Sequence, residues 1–346
     1  VESMFKGLDL IVADEGHLLE GVMDNEDSGK VIVDHRYDNL PRYATALQSA
    51  MMAAGQSHTG AILQKKLREV ERLQDLIKLR DPGWYLVSEY DPNTRNKSIG
   101  YSRTKVPSFT KERMMGPNHE RAKKMLVMTA TVLDPYHFGR TTGLGLPGKD
   151  FEVIKLPSTI PAMRRPIFYR PAVRMNAQTA KDENTIYMLA RAMDQIMDEH
   201  PGERGIIHTH SYQLANDLVN ASQRPMRLLS QRLDGMEAFR DSNNIDQWII
   251  GPAMESGEDF PYDVARCQII AKIPYPYLGD ERVKVRNTDI TMEYSMYTAA
   301  KTLWQTYGRV CRAPDDYGET WILDSGLDIM LKSGRKFIPD WVEEGL

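Results

Sequence analysis

The sequence is poor in cysteine, with Cys267 and Cys311 the only two in 346 residues. They form no CxxC pair and cannot supply the four ligands of a structural zinc or iron–sulfur site, so neither is expected within this chain. A reducing compartment is a simpler expectation than a disulfide. No run of about 18 apolar residues occurs, so no membrane-spanning helix is expected. The N-terminus lacks the charged, apolar and small-residue zones of a secretory signal. It begins with Val, so a processed or partial chain is expected. No charge sign dominates, the formal net charge being -4. The global basic excess that often marks nucleic-acid binding is therefore missing, although a local basic groove depends on distribution and not on the sum. Also absent is any G-x-x-x-x-G-K-[ST] phosphate loop, since neither Gly29-Lys30 nor Gly148-Lys149 is followed by a hydroxyl residue.

What remains is ordinary for a soluble globular protein: 41% apolar and 27% charged residues. The length suits two domains with separate cores. Residues 7–13 read as a buried strand and residue 17 onward as a helix, with 24–30 an acidic exit into an insertion. Leu40, Tyr43, Ala44, Leu47, Ala50, Met51 and Ala54 recur at helical spacing. After a break at residues 55–60, Leu63, Leu67, Val70 and Ile77 predict a second helix, stopped by Asp81-Pro82-Gly83. Residues 84–90 and 98–106 read as a hairpin, and 125–128 as a strand. Prolines and glycines crowd residues 143–171, which predicts a domain boundary near 150. Beyond it, strands at Gly205–His208, Trp248–Gly251, 268–273 and 321–324 alternate with helices. Asp182 is suited to cap the first of these helices, and a long one is predicted over 293–312. Such alternation predicts a mainly parallel sheet covered on both faces.

Four constellations carry chemistry. Asp14-Glu15 stands at a strand end, followed by His17. An acidic pair there is suited to hold Mg²⁺ and to activate water, but Asp and Glu also favour helix N-termini, and a histidine there is often structural. Thr129-Ala130-Thr131 follows another strand, and its hydroxyls suit either a hydrogen-bond relay or a plain turn. Gly257-Glu258-Asp259 joins a permissive backbone to acids that suit a ribose, an opposing arginine, or an exposed acidic loop. Gln305, Arg309 and Arg312 are expected on one helical face, where guanidinium forks match phosphoryl oxygens. Tyr212, Tyr275 and Tyr277 are candidates for stacking on unpaired bases, with burial of tyrosine between domains the competing reading. His208 and His210 lack a third metal ligand.

The order of these pieces is specific where each alone is not. Asp14-Glu15-Gly16-His17 precedes Met128-Thr129-Ala130-Thr131, then Gly205-Ile206-Ile207-His208-Thr209-His210-Ser211-Tyr212, then Glu255-Ser256-Gly257-Glu258-Asp259-Phe260. Ile269-Ile270-Ala271-Lys272-Ile273-Pro274-Tyr275-Pro276 comes next, and Gln305-Thr306-Tyr307-Gly308-Arg309-Val310-Cys311-Arg312 last. That series resembles the superfamily-two DNA helicases of the XPD/DinG type, over nearly the whole chain except residues 29–106. The resemblance implies an α/β fold of two RecA-like parallel-sheet domains. The first, at 1–28 and 107–150, is incomplete and carries an arch-like helical and hairpin insertion at 29–106; the second spans 151–346.

The same resemblance implies ATP and Mg²⁺ as cofactors and single-stranded or forked DNA as partner, in DNA repair or replication. It further implies that an N-terminal segment carrying the phosphate loop is missing here. The location implied is cytoplasmic, or nuclear in a eukaryote. Asp14 and Glu15 would hold the metal and activate water, and His17, Thr129 and Thr131 would couple hydrolysis to movement. Gly257, Glu258 and Asp259 would approach the nucleotide, while Gln305, Arg309 and Arg312 would meet its terminal phosphate. Glu258 stands where relatives usually carry an apolar residue. Two rival readings are a non-catalytic nucleic-acid-binding or regulatory module and a nucleotide hydrolase that acts on no nucleic acid.

Overall fold

The computed structural model describes residues 7–79, 83–103, 110–231, 235–252, 254, 257–289 and 292–346. The chain packs as two compact units. The first takes the residues up to Thr129, then 136–152 and 277–294; the second takes 130–135, 153–276 and 295–346.

In the first unit, β1 (Leu8–Ala13) leads through a 3-10 turn into α1 (Leu19–Asp27). β2 (Gly29–Val33) follows at once. Residues 24–27, expected as an exit loop, instead complete α1. α2 (Leu40–Ala54) starts where Asn39 accepts a hydrogen bond from the Arg42 amide, with a proline in its first turn. α3 (His58–Leu79), β3 (Trp84–Tyr90) and β4 (Lys97–Arg103) complete the insertion, and residues 104–106 of the expected hairpin lie outside the described residues. These three strands form an antiparallel sheet in the order β2-β4-β3, so the strands that enter and leave the insertion lie side by side. Val31, Val33, Leu47, Leu67, Val70, Leu73 and Tyr101 make a core of their own against α2 and α3. After α4 (Thr110–Met115), β5 (Ala122–Val127) pairs with β1 in parallel as a two-stranded sheet, and α5 (Pro135–Thr142) follows.

The second unit is built on six parallel strands. β6 (Ile167–Val173) lies within the proline-rich stretch, where no strand is read from the sequence. Then come α6 (Glu183–Glu199), β7 (Gly205–His208), α7 (Tyr212–Ala221), β8 (Leu228–Ser230), α8 (Gly235–Asp241), β9 (Trp248–Gly251) and β10 (Cys267–Ile270). α9 (Glu281–Asp289) belongs to the first unit; α10 (Tyr294–Tyr307), β11 (Glu319–Asp324), α11 (Leu327–Ser333) and α12 (Asp340–Glu343) end the chain. The strand order is β6-β11-β10-β7-β9-β8. Asp182 and Ser211 cap α6 and α7 by accepting from Thr185 and Leu214 amides.

Successive strand residues serve opposite faces. Ile207 and Ile250 pack with Leu189, Met193 and Leu218 of α6 and α7, while Ile206 and Ile249 pack with Phe239, Phe260 and Val310. This is why the strands read as unbroken apolar runs.

Candidate functional site

The acidic box leaves the end of β1 on a strained turn. Glu15 has left-handed backbone angles, φ 52° and ψ 46°. Gly16 follows because nothing larger fits: a Cβ there would lie 2.2 Å from Val127 Cγ1 of β5. The Gly16 amide donates to Met128 O at 2.8 Å, which locks the turn to the neighbouring strand. Both carboxylates are exposed. Glu15 makes no side-chain cap of the 3-10 turn, and Asp14 Oδ1 accepts the adjacent Glu15 amide, at 2.8 Å. His17 is buried, with Nδ1 3.2 Å from Thr129 Oγ1 and 3.1 Å from Glu15 Oε2.

The Thr-Ala-Thr element divides between the units. Thr129 closes the first unit and bonds His17, whereas Thr131 belongs to the second. Thr131 is fully buried, and its Oγ1 accepts from Gln305 Nε2 at 2.7 Å.

The arginines are not on a helical face. α10 ends at Tyr307, and the chain turns through Gly308 and then Cys311, whose φ is 59°. A left-handed residue cannot continue a helix, and Pro314 prevents its resumption. Gln268, buried in β10, holds this turn by donating from Nε2 to Tyr307 O at 2.9 Å and Thr320 Oγ1 at 2.7 Å. The turn brings Arg309 and Arg312 together by another route. Arg309 Nη1 donates to Glu258 O at 3.0 Å and Asp259 Oδ1 at 3.2 Å, and Nη2 reaches Gln305 Oε1 at 3.4 Å. Arg312 Nη1 donates to Gly308 O at 2.9 Å, and its Nε lies 3.1 Å from Asp259 Oδ1. A chain of contacts therefore runs Thr131–Gln305–Arg309–Asp259–Arg312 within one unit.

In the acidic loop, Gly257 has φ 78°, and a Cβ added there would meet none of the described residues within 4 Å. Glu258 is engaged by Arg240 Nη2. Glu255 and Ser256 lie outside the described residues.

Asp316 is a residue that sequence reading missed. Fully buried, it accepts the amides of Tyr262 (3.1 Å), Arg312 (2.8 Å) and Tyr317 (2.8 Å), and pairs with Arg266 Nη1 at 3.0 Å. One carboxylate thus ties the arginine turn to the chain beyond the acidic loop. The available signal was the Pro314-Asp315-Asp316-Tyr317-Gly318 turn composition.

The tyrosines do not form one set. Tyr212 and Tyr275 lie in the second unit and Tyr277 in the first. Tyr277 is 75% exposed and Tyr212 43%, but Tyr275 is half-buried, its hydroxyl enclosed without a partner among the described residues. Burial raises its pKa. His208 is wholly buried and desolvation depresses its pKa to about 3; the nearly buried His210 falls to about 4, lowered first by burial and then by Lys272. Both are neutral at pH 7. Among the described residues no group of three or more His, Cys, Asp or Glu is placed to hold a metal, and no helix is long and apolar enough to cross a membrane. Burial pushes the Cys311 thiol up to about 11, so it is no nucleophile.

Gly143 and Gly148-Lys149 have the glycine spacing of a phosphate loop but not its structure. They follow a helix rather than a strand, and Asp150 stands where the hydroxyl should be. Its Oδ2 accepts the Leu146 amide at 2.9 Å, placing a negative charge inside the loop.

Residues 193–345 match the model of the helicase C-terminal domain. Among solved structures the chain is similar to an XPD helicase, with a TM-score of 0.61 and 14% identity over 94% of this chain and 66% of that one. It is also similar to Xpd4 of S. tokodaii, with a TM-score of 0.56 and 14% identity over 94% of this chain and 73% of that one. The chain thus spans about two thirds of the length of the first. No curated protein matches it in sequence. At such identity the structural matches speak for the fold. That fold is α/β with two RecA-like parallel-sheet units. The chain thus has the fold of the XPD helicase structures, and its residues 193–345 are similar to the helicase C-terminal domain.

Proposed function

We propose that this chain is part of an ATP-dependent helicase or translocase that couples hydrolysis to movement along, and unwinding of, single-stranded or forked DNA. The observation that carries the reading is the cluster of Gln305, at the end of α10, with Arg309 and Arg312 on the turn that follows, the two guanidiniums converging on one anion. Arg309 and Arg312 would meet the charge that develops on the terminal phosphate, where preorganised cations act most strongly. Asp14 would hold Mg²⁺, which suits a single exposed carboxylate because that ion keeps several waters and takes further ligands from the phosphates. The metal would neutralise phosphate charge. Glu15 would orient or deprotonate the attacking water, with His17 beside it. The Thr-Ala-Thr element would be the coupling segment, since Thr129 bonds in one unit and Thr131 in the other. Tyr212 and Tyr277 remain candidates for stacking on bases; the enclosed hydroxyl of Tyr275 favours a packing role. Residues 29–106, closed on themselves by the β2–β4 pairing, would be the arch-like insertion.

No phosphate loop stands among the described residues, and Asp14 and Glu15 present only negative charge to a nucleotide. A further segment would supply the loop and cover the apolar β1–β5 sheet. The 346-residue chain by itself is therefore expected neither to bind ATP tightly nor to hydrolyse it. In a longer protein that includes such a segment, single-stranded DNA should stimulate phosphate release. There, R309A or R312A should lower kcat by on the order of 10²-fold with little change in ATP affinity. Unchanged turnover in both variants would sink the assignment. Micromolar ATP binding with DNA-stimulated turnover by the 346-residue chain would refute the need for the segment.

A further inference from the structure

The anion on which the two arginines converge is part of the protein. Asp259 Oδ1 lies 3.2 Å from Arg309 Nη1 and 3.1 Å from Arg312 Nε, and Oδ2 lies 3.3 Å from Arg312 Nη2. A single carboxylate therefore takes charge-assisted contacts from two guanidinium forks, the arrangement these forks adopt on phosphate. The trio still carries excess positive charge. It also has excess donors: Arg309 is 7% exposed, and its buried Nε has no partner among the described residues. A buried unsatisfied donor is costly, and a third anionic oxygen would satisfy it. Asp259 itself is half exposed. It follows Gly257, which is at positive φ and where an added Cβ would meet none of the described residues within 4 Å, and Glu258, which is secured separately by Arg240. The carboxylate can thus leave without unpacking a core.

We propose that Asp259 is an internal stand-in for the phosphate: without a nucleotide it parks Arg309 and Arg312, and an incoming polyphosphate must displace it. This rests on reading the two arginines as phosphate contacts, and it adds a competitor built into that site. Being tethered, the carboxylate is present at high effective concentration. It keeps the guanidiniums paired and oriented, and it raises the threshold for any stray anion.

The test uses this chain and inorganic tripolyphosphate, at low ionic strength, by isothermal titration. D259N should bind the anion on the order of 5- to 10-fold more tightly than wild type, as expected when an ion pair of this exposure no longer competes. D259E should stay near wild type, and D259N/R309A/R312A should lose the gain. If Asp259 merely anchors its loop, D259N will bind no more tightly while melting at a lower temperature, and the proposal fails. Should D259N not fold, arginine side-chain NMR of the wild type decides. Tripolyphosphate should shift the guanidinium signals of both Arg309 and Arg312, and unmoved signals overturn the idea. The helicase reading fails separately, through absence of DNA-stimulated hydrolysis in the longer protein, and leaves this displacement intact.

Discussion

Two parallel sheets in this chain follow one architectural rule to different extents. In the second unit, every residue of β7, β9 and β10 is buried, because helices and loops cover both faces. In the first, β1 apart from Asp9, and Met125–Val127 of β5 after its two lysines, are apolar too, yet Leu10, Val12 and Leu126 are 48%, 52% and 42% exposed. Parallel sheets are stable when covered on both sides. The contrast separates the two halves of the proposed chemistry. The arginine cluster stands on a scaffold that closes its own core, whereas the acidic box stands on two strands whose apolar residues remain partly exposed.

The largest effect that would sharpen this contrast is in the closed sheet. Trp248 is fully buried, and its ring fills the space beside Gly205, where an added Cβ would lie 2.4 Å from it. Trp248→Ala should cost about 3–5 kcal/mol. Four of the five tryptophans belong to the second unit and only Trp84 to the first, so W84F isolates the fluorescence of the second unit. Denaturant unfolding in that background should show the midpoint collapse. A loss below about 1 kcal/mol would show that this core is not the stable half.

In the first unit, stability is concentrated elsewhere. Arg286 of α9 is buried and donates from Nη1 to Glu20 and Asp24, both at 2.8 Å, and from Nη2 to Asp24 at 2.6 Å. The Tyr294 hydroxyl also reaches Glu20, at 2.7 Å. These contacts hold α9 and Tyr294 against α1, the helix that follows the acidic box. Arg286→Ala should cost about 3–5 kcal/mol, because it strands two buried carboxylates. The loss should appear in hydrogen exchange of α1 and α9 and spare β7 and β9. Equal loss of protection in both units would mean that they unfold together.

A third, smaller effect is set by pH. The folded pKa values of His208 and His210, about 3 and about 4, lie below the ordinary 6.5. Folding therefore favours their neutral forms, and that contribution is complete above pH 6.5. As pH falls below 6.5 the unfolded chain takes up protons first, so stability declines by about 1.4 kcal/mol per histidine per pH unit. The slope should fade near pH 4 for His210 and near 3 for His208. H208Q should remove about half of it in the W84F background. A flat midpoint between pH 6.5 and 5 would contradict the burial.

The fold was largely legible because its signals are local. Asp182 and Ser211 mark helix starts, and the apolar runs at 205–208 and 248–251 are strands as expected. What failed depends on packing or on single residues. The helix predicted through Arg312 stops at Tyr307, because Cys311 turns left-handed, which its side chain does not announce. β6 hides among prolines because an edge strand tolerates them. That α9 packs with the first unit rests on Arg286 meeting Glu20 and Asp24, more than 260 positions away in sequence, a pairing no periodicity reveals. The Thr131–Gln305 bond is equally non-local, although both residues stand out in the sequence.

The smallest expected effect addresses the open sheet directly. Val12 and Leu126 are register partners across β1 and β5, and both are more than 40% exposed. If the sheet face is open in solution, Val12→Thr with Leu126→Thr removes little buried area. Thr keeps the β-branched shape of Val12 and gives position 126 a shape that strands favour, so the backbone preference is not weakened. Stability of the 346-residue chain should then change by less than about 1 kcal/mol. Self-association should fall, since an exposed apolar sheet face promotes it. In a longer protein that supplies the cover, the same pair becomes a buried polar insertion and should cost about 2 kcal/mol or more. Denaturant melts and sedimentation of both proteins, each with and without the pair, give the four values needed. A large loss in the short chain at every protein concentration would mean that the face is already covered there, and the comparison between the two sheets would dissolve. A small loss in both proteins would remove the covering segment from the proposal.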